Sequence, residues 1–217
     1  MKYCKRVTAR VHLDAIRQNI SNICRGIPQN TKVCAVVKAD GSGHGATAIA
    51  QALDDTVDFF AVATVSEAVD LRAGAVKKPI LILGYAWPED YEELIEKDVR
   101  FTVFKEKDAK ELSELGERMG KKALIHIKVD TGMNRIGFPV DDEAVETVRR
   151  IRTLPGVEVE GIFTHFARAD EEDKTYAYEQ LRLFQDFIRR VEKDADRIPI
   201  HHCANSAASM EMPEAFM

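Results

Sequence analysis

Lys38 is the residue best placed by its neighbours to do covalent chemistry. It closes a β-branched run (Val33, Val36, Val37) and is followed by glycines at alternate positions, Gly41, Gly43 and Gly45. Ala46, Thr47, Ala48, Ile49, Ala50 and Leu53 then read as a helix. The spacing predicts an amine at the carboxyl end of a buried strand. Beside it would lie a turn whose N–H groups, with the helix N-terminus that follows, favour an anion. A lysine next to an anion cradle suits a Schiff base to a phosphorylated aldehyde. Two other readings fit the same residues. One is a lysine in an ordinary ion pair before a strand–turn–helix. The other is a dinucleotide site, because Gly41-x-Gly43-x-x-Ala46 matches G-x-G-x-x-G/A. That fingerprint calls for an acid about 20 positions on, at the end of the next strand. Ala61-Val62-Ala63-Thr64 supplies none.

Three further segments carry candidate chemistry. In Ala123-Leu-Ile-His-Ile-Lys-Val-Asp130 the side chains alternate, with His126, Lys128 and Asp130 on one face. In a barrel that face points inward. By itself the pattern also fits a buried ion pair of Lys128 with Asp130. The chain continues as Asp130-Thr-Gly-Met-Asn-Arg135-Ile-Gly137. The second segment is Gly161-Ile-Phe-Thr-His165-Phe-Ala-Arg-Ala-Asp170, where an isolated His165 is equally a core histidine bonded to a backbone carbonyl. The third is His202-Cys-Ala-Asn-Ser206-Ala-Ala208. His201-His202-Cys203 raises a metal site, but adjacent strand residues point to opposite faces and cannot converge on one ion. No metal is expected.

Together the four segments resemble the alanine racemases. Residues 35–46, AVVKADGSGHGA, are similar to that family's cofactor-lysine motif AVVKA(D/N)-A/G-Y-GHG. DTGMNRIG is similar to D-T-G-M-x-R-x-G, and the His165 and Ser206 segments to G-x-x-T-H-F-A-x-A-D and H-x-A-N-S-A-A. The resemblance implies pyridoxal 5′-phosphate (PLP) carried on Lys38. Ser42 stands where the family has a tyrosine that contacts the cofactor phosphate. Arg135 would reach the cofactor's phenolic oxygen and, with Met133, the substrate carboxylate. Lys128 would be a carbamate that holds Arg135. His165 would pack on the cofactor ring, Ser206 would bind the phosphate and Asn205 would line the site. His202 would orient an arginine that lies beyond this sequence. The implied reaction interconverts L- and D-alanine, with serine as the alternative substrate, and supplies D-alanine for peptidoglycan. The implied enzyme is a cytoplasmic homodimer whose second base is a tyrosine of a carboxyl domain, contributed by the partner subunit. A non-catalytic PLP-binding barrel is the alternative, although such proteins usually lack the D-T-G-M-x-R and T-H-F-A-x-A-D wording.

The elements that must position these residues follow a regular order. Residues 6–13 alternate and read as a half-buried strand, and a helix is expected over 14–25 with Ile16, Ile20 and Ile23 on one face. Strands are expected over 33–37, 57–63, 79–83, 100–104, 123–129, 157–164 and 200–204. The main helices between them are expected over 66–73, 89–97, 107–119, 142–152 and 173–193. Such alternation predicts a parallel sheet. We expect a TIM-type (β/α)8 barrel, here incomplete at about seven βα units, with the additional amino-terminal strand. An open doubly wound sheet is the competing architecture. Candidate residues at the carboxyl ends of several strands favour the barrel. The expected division is a strand segment, 1–13, and a PLP-binding barrel domain, 14–217, that stops before its last strand. The family continues through an R-P-G segment into a β-rich carboxyl domain. The 217 residues alone are therefore expected to be inactive.

Composition narrows the class. A chain of 217 residues is long enough for one sizeable core. The net charge of −5, without a basic stripe, argues against a nucleic-acid partner. No apolar run approaches the roughly 20 residues of a membrane span, and no signal-peptide core precedes residue 16. Cys4, Cys24, Cys34 and Cys203 have no regular spacing and read as reduced cytoplasmic thiols. The expected partner is a small molecule.

Overall fold

The computed structural model describes residues 7–217. Among the described residues there are seven strands: β1 Cys34–Val36, β2 Phe59–Val62, β3 Ile80–Ile82, β4 Val99–Val103, β5 Ala123–Lys128, β6 Val157–Phe163 and β7 Ile200–His202. Each pairs in parallel with the next, so spatial order equals sequence order. A doubly wound sheet would reverse its order at a switch point; this one does not, and it is an incomplete barrel. Among the described residues the ladder stops at β1 and β7.

Helices cover the outer face: Ala46–Leu53, Val65–Ala73, Tyr91–Glu96, Glu106–Met119, Asp142–Arg152 and Thr175–Glu192. Their starts follow from local chemistry. Thr64 and Glu67 form a reciprocal capping box, and the Asp141 carboxylate accepts from Ala144 N–H. The outward residues of the sheet, among them Phe60, Ile80, Ile82, Phe101, Ile125 and Ile127, are fully or nearly fully buried against these helices. The opposite, inward face carries polar residues: Arg100, Thr102, His126 and Lys128 are all buried.

One irregularity matters for the site. Ile125 pairs with Val159, but His126 pairs with Gly161, which leaves Glu160 as the extra residue of a bulge in β6. A bulge re-aims a side chain, and here it is Glu160 that meets Arg100 and His126.

Two expectations are corrected. The amino-terminal strand falls partly outside the described residues, and residues 7–12 are irregular up to the helix Leu13–Cys24. Alternation alone does not hold a strand without a ladder partner. The Lys38 strand is a margin rather than a buried element, with Val36 53% exposed. Past the last strand the chain forms a further helix, Ser206–Glu211, started by the Asn205 side chain on Ala208 N–H.

Candidate active site

The site is assembled from the carboxyl ends of β1, β5, β6 and β7. Lys38 follows β1 and opens a left-handed turn: Ala39, Asp40, Gly41 and Ser42 all have φ between 51° and 60°. Each non-glycine residue there costs about 1–2 kcal/mol, so other contacts must hold the turn. Glu67 accepts from Ala39 N–H at 2.6 Å, and also from Ala63 and Thr64 N–H. Burial works against the Glu67 charge, but these backbone donors win and keep its carboxyl below the usual range. Asp40 Oδ1 accepts from Ala46 N–H at 2.8 Å, and its carbonyl accepts from Gly45 N–H. The expected anion cradle is corrected here. The N–H groups of Ala39, Gly41, Gly45 and Ala46 are used inside the protein. A carboxylate already occupies the helix start where a dinucleotide phosphate would have to sit. The turn positions Lys38 and Ser42; it does not itself wrap a phosphate.

The D-T-G-M-N-R-I-G segment is a closed loop at the end of β5. Asp130 Oδ1 accepts from Gly132 and Asn134 N–H. Asp130 and Phe138 are joined through Asp130 N–H to the Phe138 carbonyl, and Phe138 N–H returns to the Lys128 carbonyl, both at 2.8 Å. Gly137 has φ 139°, and a Cβ there would lie 2.5 Å from Asp130 N. The loop leaves Arg135 exposed, with no ion pair or side-chain hydrogen bond among the described residues. Asp130 is thus used on its own loop, and no Lys128–Asp130 ion pair forms. Lys128 Nζ instead donates to the Val129 carbonyl at 2.7 Å and lies 5.5 Å from the centre of the Phe163 ring. Burial lowers its pKa to about 8, Asp130 opposing and Arg135 adding to the shift.

His165 follows β6 and is half-buried. The wholly buried Gln180 tethers its segment, accepting from Ala167 N–H and donating to the His165 carbonyl and to Thr131. Burial lowers the His165 pKa first, then the charges of Arg135, Lys128 and Lys38. The charges of three cations, at the carboxyl ends of β1 and β5, thus all act on one histidine that follows β6. At β7 the faces separate as expected. His201 turns out to Glu192 at 2.7 Å. His202 turns in, stacked on Phe163 with ring centres 4.6 Å apart and planes 4° apart. Ser42, His202, Asn205 and Ser206 line the cleft between the β1 and β7 margins, together with Gly41. Asn205 Oδ1 is used as the helix cap on Ala208, which leaves only its amide N–H2 for a ligand. Met133 is half-buried in the Arg135 loop, and no contact ties it to the cleft.

The sequence reading missed a second polar layer beneath this cleft. Arg100 pairs with Asp98 and Glu160, Glu160 with His126, and His126 with His202. The signal was present: Arg100 and Thr102 alternate in β4 as His126 and Lys128 do in β5. The bulge that brings in Glu160 has no sequence signature. Among the described residues no helix is long and apolar enough to cross a membrane.

Comparison with known proteins agrees with this geometry. The family model "Alanine racemase, N-terminal domain" matches residues 11–217. Alanine racemase 2 of Caldanaerobacter subterraneus subsp. tengcongensis is 47% identical over 208 residues, covering 95% of this chain and 54% of that protein. Alanine racemase of Desulforamulus reducens is 43% identical over 212 residues, covering 97% and 57%. The chain thus spans about half the length of the curated relatives it matches. Among solved structures, alanine racemase of Clostridium difficile 630 in complex with cycloserine superposes with a TM-score of 0.93 at 37% identity, over 94% of this chain and 57% of that one. The Bacillus anthracis enzyme with bound L-Ala-P gives 0.85 at 33% identity, over 92% and 52%.

Proposed function

The chain belongs to the alanine racemase amino-terminal domain family, and from that premise we propose that it is the barrel part of a PLP-dependent enzyme interconverting L- and D-alanine. One observation carries the reading. Lys38, Lys128 and Arg135 stand at the carboxyl ends of β1 and β5, the charge of each acts on His165, and none of them is in an ion pair among the described residues. Cations that the chain leaves without an ion-pair partner fit an anionic cofactor and a carboxylate substrate.

When bound, PLP supplies an electron sink that lowers the cost of removing the α-proton of an amino acid. Lys38 Nζ would hold the cofactor and then accept or return that proton on one face of the substrate. Arg135, on its stiff loop, would read the substrate carboxylate as a planar double donor. His165 would face the cofactor ring. The hydroxyls of Ser42 and Ser206 and the Asn205 amide, which share one cleft, would take the phosphate end. With a pKa near 8, Lys128 has a ready supply of neutral amine to add carbon dioxide, losing one proton and becoming an anion matched to Arg135. A single base tends to return a proton to the face it left, so racemisation needs a second base on the opposite face. The family's partner subunit would supply it in a cytoplasmic homodimer that makes D-alanine for peptidoglycan. The neighbours solved with cycloserine and L-Ala-P support alanine over serine.

Borohydride reduction in the presence of PLP, followed by peptide mapping, tests the assignment. The pyridoxyl mass is expected on Lys38. Its recovery on another lysine, with Lys38 unmodified, would overturn the reading.

A further inference from the structure

The inner face of the sheet holds a relay that the proposed reaction leaves unexplained. Arg100 donates from Nε to Glu160 Oε2 at 3.0 Å and from Nη2 to Oε1 at 3.2 Å. Glu160 Oε2 also lies 3.1 Å from His126 Nε2, and His126 Nδ1 lies 2.9 Å from His202 Nε2. His202 Nδ1 bonds no group among the described residues, and His202 lines the clefts at the β1–β7 opening.

The donors and acceptors fix one another in order. A guanidinium can only donate, and an ionised carboxylate can only accept. Glu160 is therefore the acceptor for Arg100 and for His126, so His126 carries its proton on Nε2. A neutral imidazole protonated at Nε2 accepts at Nδ1, so His202 Nε2 must donate. We propose that Glu160, acting through His126, holds His202 in its Nε2–H tautomer, so that the chain presents Nδ1 to the cleft as a fixed hydrogen-bond acceptor. Any group seated against it must be a donor.

The packing is built for this arrangement. The β6 bulge turns Glu160 inward, and the absence of a side chain at Gly161 makes room for the His126 ring: a Cβ there would lie 2.4 Å from its Nδ1. Phe163 stacks on His202 and sets its plane. Burial favours the neutral form of both rings; for His126 the Glu160 carboxylate opposes this without prevailing, and for His202 neighbouring positive charge adds to it. Glu160 itself stays ionised, its pKa lowered to about 2: burial opposes the charge, and the bonds from His126 and Arg100 outweigh it.

Glu160 and His126 are positioning residues, and the readout is the tautomer itself. It is taken from multiple-bond 1H–15N spectra of histidine-labelled protein at pH 7 with no cofactor added. The result therefore stands or falls apart from the borohydride experiment. Both His126 and His202 are expected to be protonated on Nε2. In Glu160→Gln the amide oxygen stays with Arg100 and the amide N–H turns to His126, so both rings should reverse to Nδ1–H. Glu160→Asp should keep the original pattern. A His202 protonated on Nδ1 in the parent, or one that stays Nε2–H in Glu160→Gln, would overturn the proposal. If the glutamine variant does not fold, His126→Phe decides. With the relay cut, His202 should show averaged tautomers, and a His202 still fixed as Nε2–H would count against the relay.

Discussion

Strands β4, β5 and β6 run five, six and seven residues, while β1 and β7 at the margins run three each. Every residue of β4 is buried, whereas β1 alternates exposed, buried, exposed. The helix before β1, Leu13–Cys24, buries no residue, and its Ile16, Ile20 and Ile23 line the open cleft. The proposed site is divided by the same boundary. Lys128, Arg135 and His165 stand on the flank and are located by Gln180 and by the closed 130–138 loop. Lys38, Ser42, Asn205 and Ser206 stand at the margins. They are located by a left-handed turn clamped by Glu67 and Asp40, and by a capped short helix. The chain therefore prepares the carboxylate-reading half of its site through its core, and the lysine half through backbone geometry.

The largest expected effect breaks the flank. Arg100→Ala leaves Glu160 and His126 inside without their cation, and removing one partner of a buried pair costs about 3–5 kcal/mol. Val36→Ala on the margin should cost about 0.5 kcal/mol, because the side chain is half in water. Urea unfolding of both variants measures the difference. Equal costs would mean that the two regions do not differ in how they are held.

Lys128 sharpens the comparison, because its burial on the flank gives stability a pH dependence. Its folded pKa of about 8 lies below the unfolded value of about 10.4. The fold therefore pays in full for the charged amine below pH 8, and the penalty fades as pH rises toward 10.4. Lys128→Met should be more stable than the parent at pH 7 by up to about 3 kcal/mol. That gain should shrink between pH 8 and 10.4. Bicarbonate should stabilise the parent and leave the methionine variant unchanged, since only the lysine can become a carbamate. A pH-independent difference between the two would remove the burial argument.

Much of this division was legible beforehand. The βα alternation gave seven strands within a few residues of their observed ends, because β-branched runs and apolar helix faces are local signals. The DTGMNRIG segment was legible as a site through its resemblance to the family motif; that Asp130 and Gly137 are what close the loop was not. Physical pairing was less visible. Asp130 looked like a partner for Lys128, yet its oxygens serve backbone N–H groups four residues away or fewer. Gly41, Gly43 and Gly45 announced a turn, but nothing announced that Ala39, Asp40 and Ser42 would share its left-handed backbone, since Glu67, 28 residues on from Ala39, helps to hold it. The alternation of residues 6–13 promised a strand, and residues 7–12 have no strand partner among the described residues.

The smallest effect is expected at the margin, at Ser42, and it should appear in binding rather than stability. Ser42 is exposed, and its hydroxyl has no hydrogen-bond partner among the described residues. It faces the same cleft as Ser206 and Asn205. Its φ of 57° is already left-handed for a residue with a Cβ, so a tyrosine there adds no new backbone strain. The longer side chain would carry a hydroxyl across the cleft to the phosphate end. One hydrogen bond to a charged group is worth about 1.5–3 kcal/mol, which is roughly tenfold or more in Kd. Ser42→Tyr should therefore tighten PLP binding in a spectroscopic titration and leave the urea midpoint where it was. A lowered midpoint would show that this margin is packed more tightly than its exposure implies. Unchanged affinity with an unchanged midpoint would show that the left-handed turn does not aim position 42 at the phosphate, and Ser206 and Asn205 would be left to bind it from β7 alone.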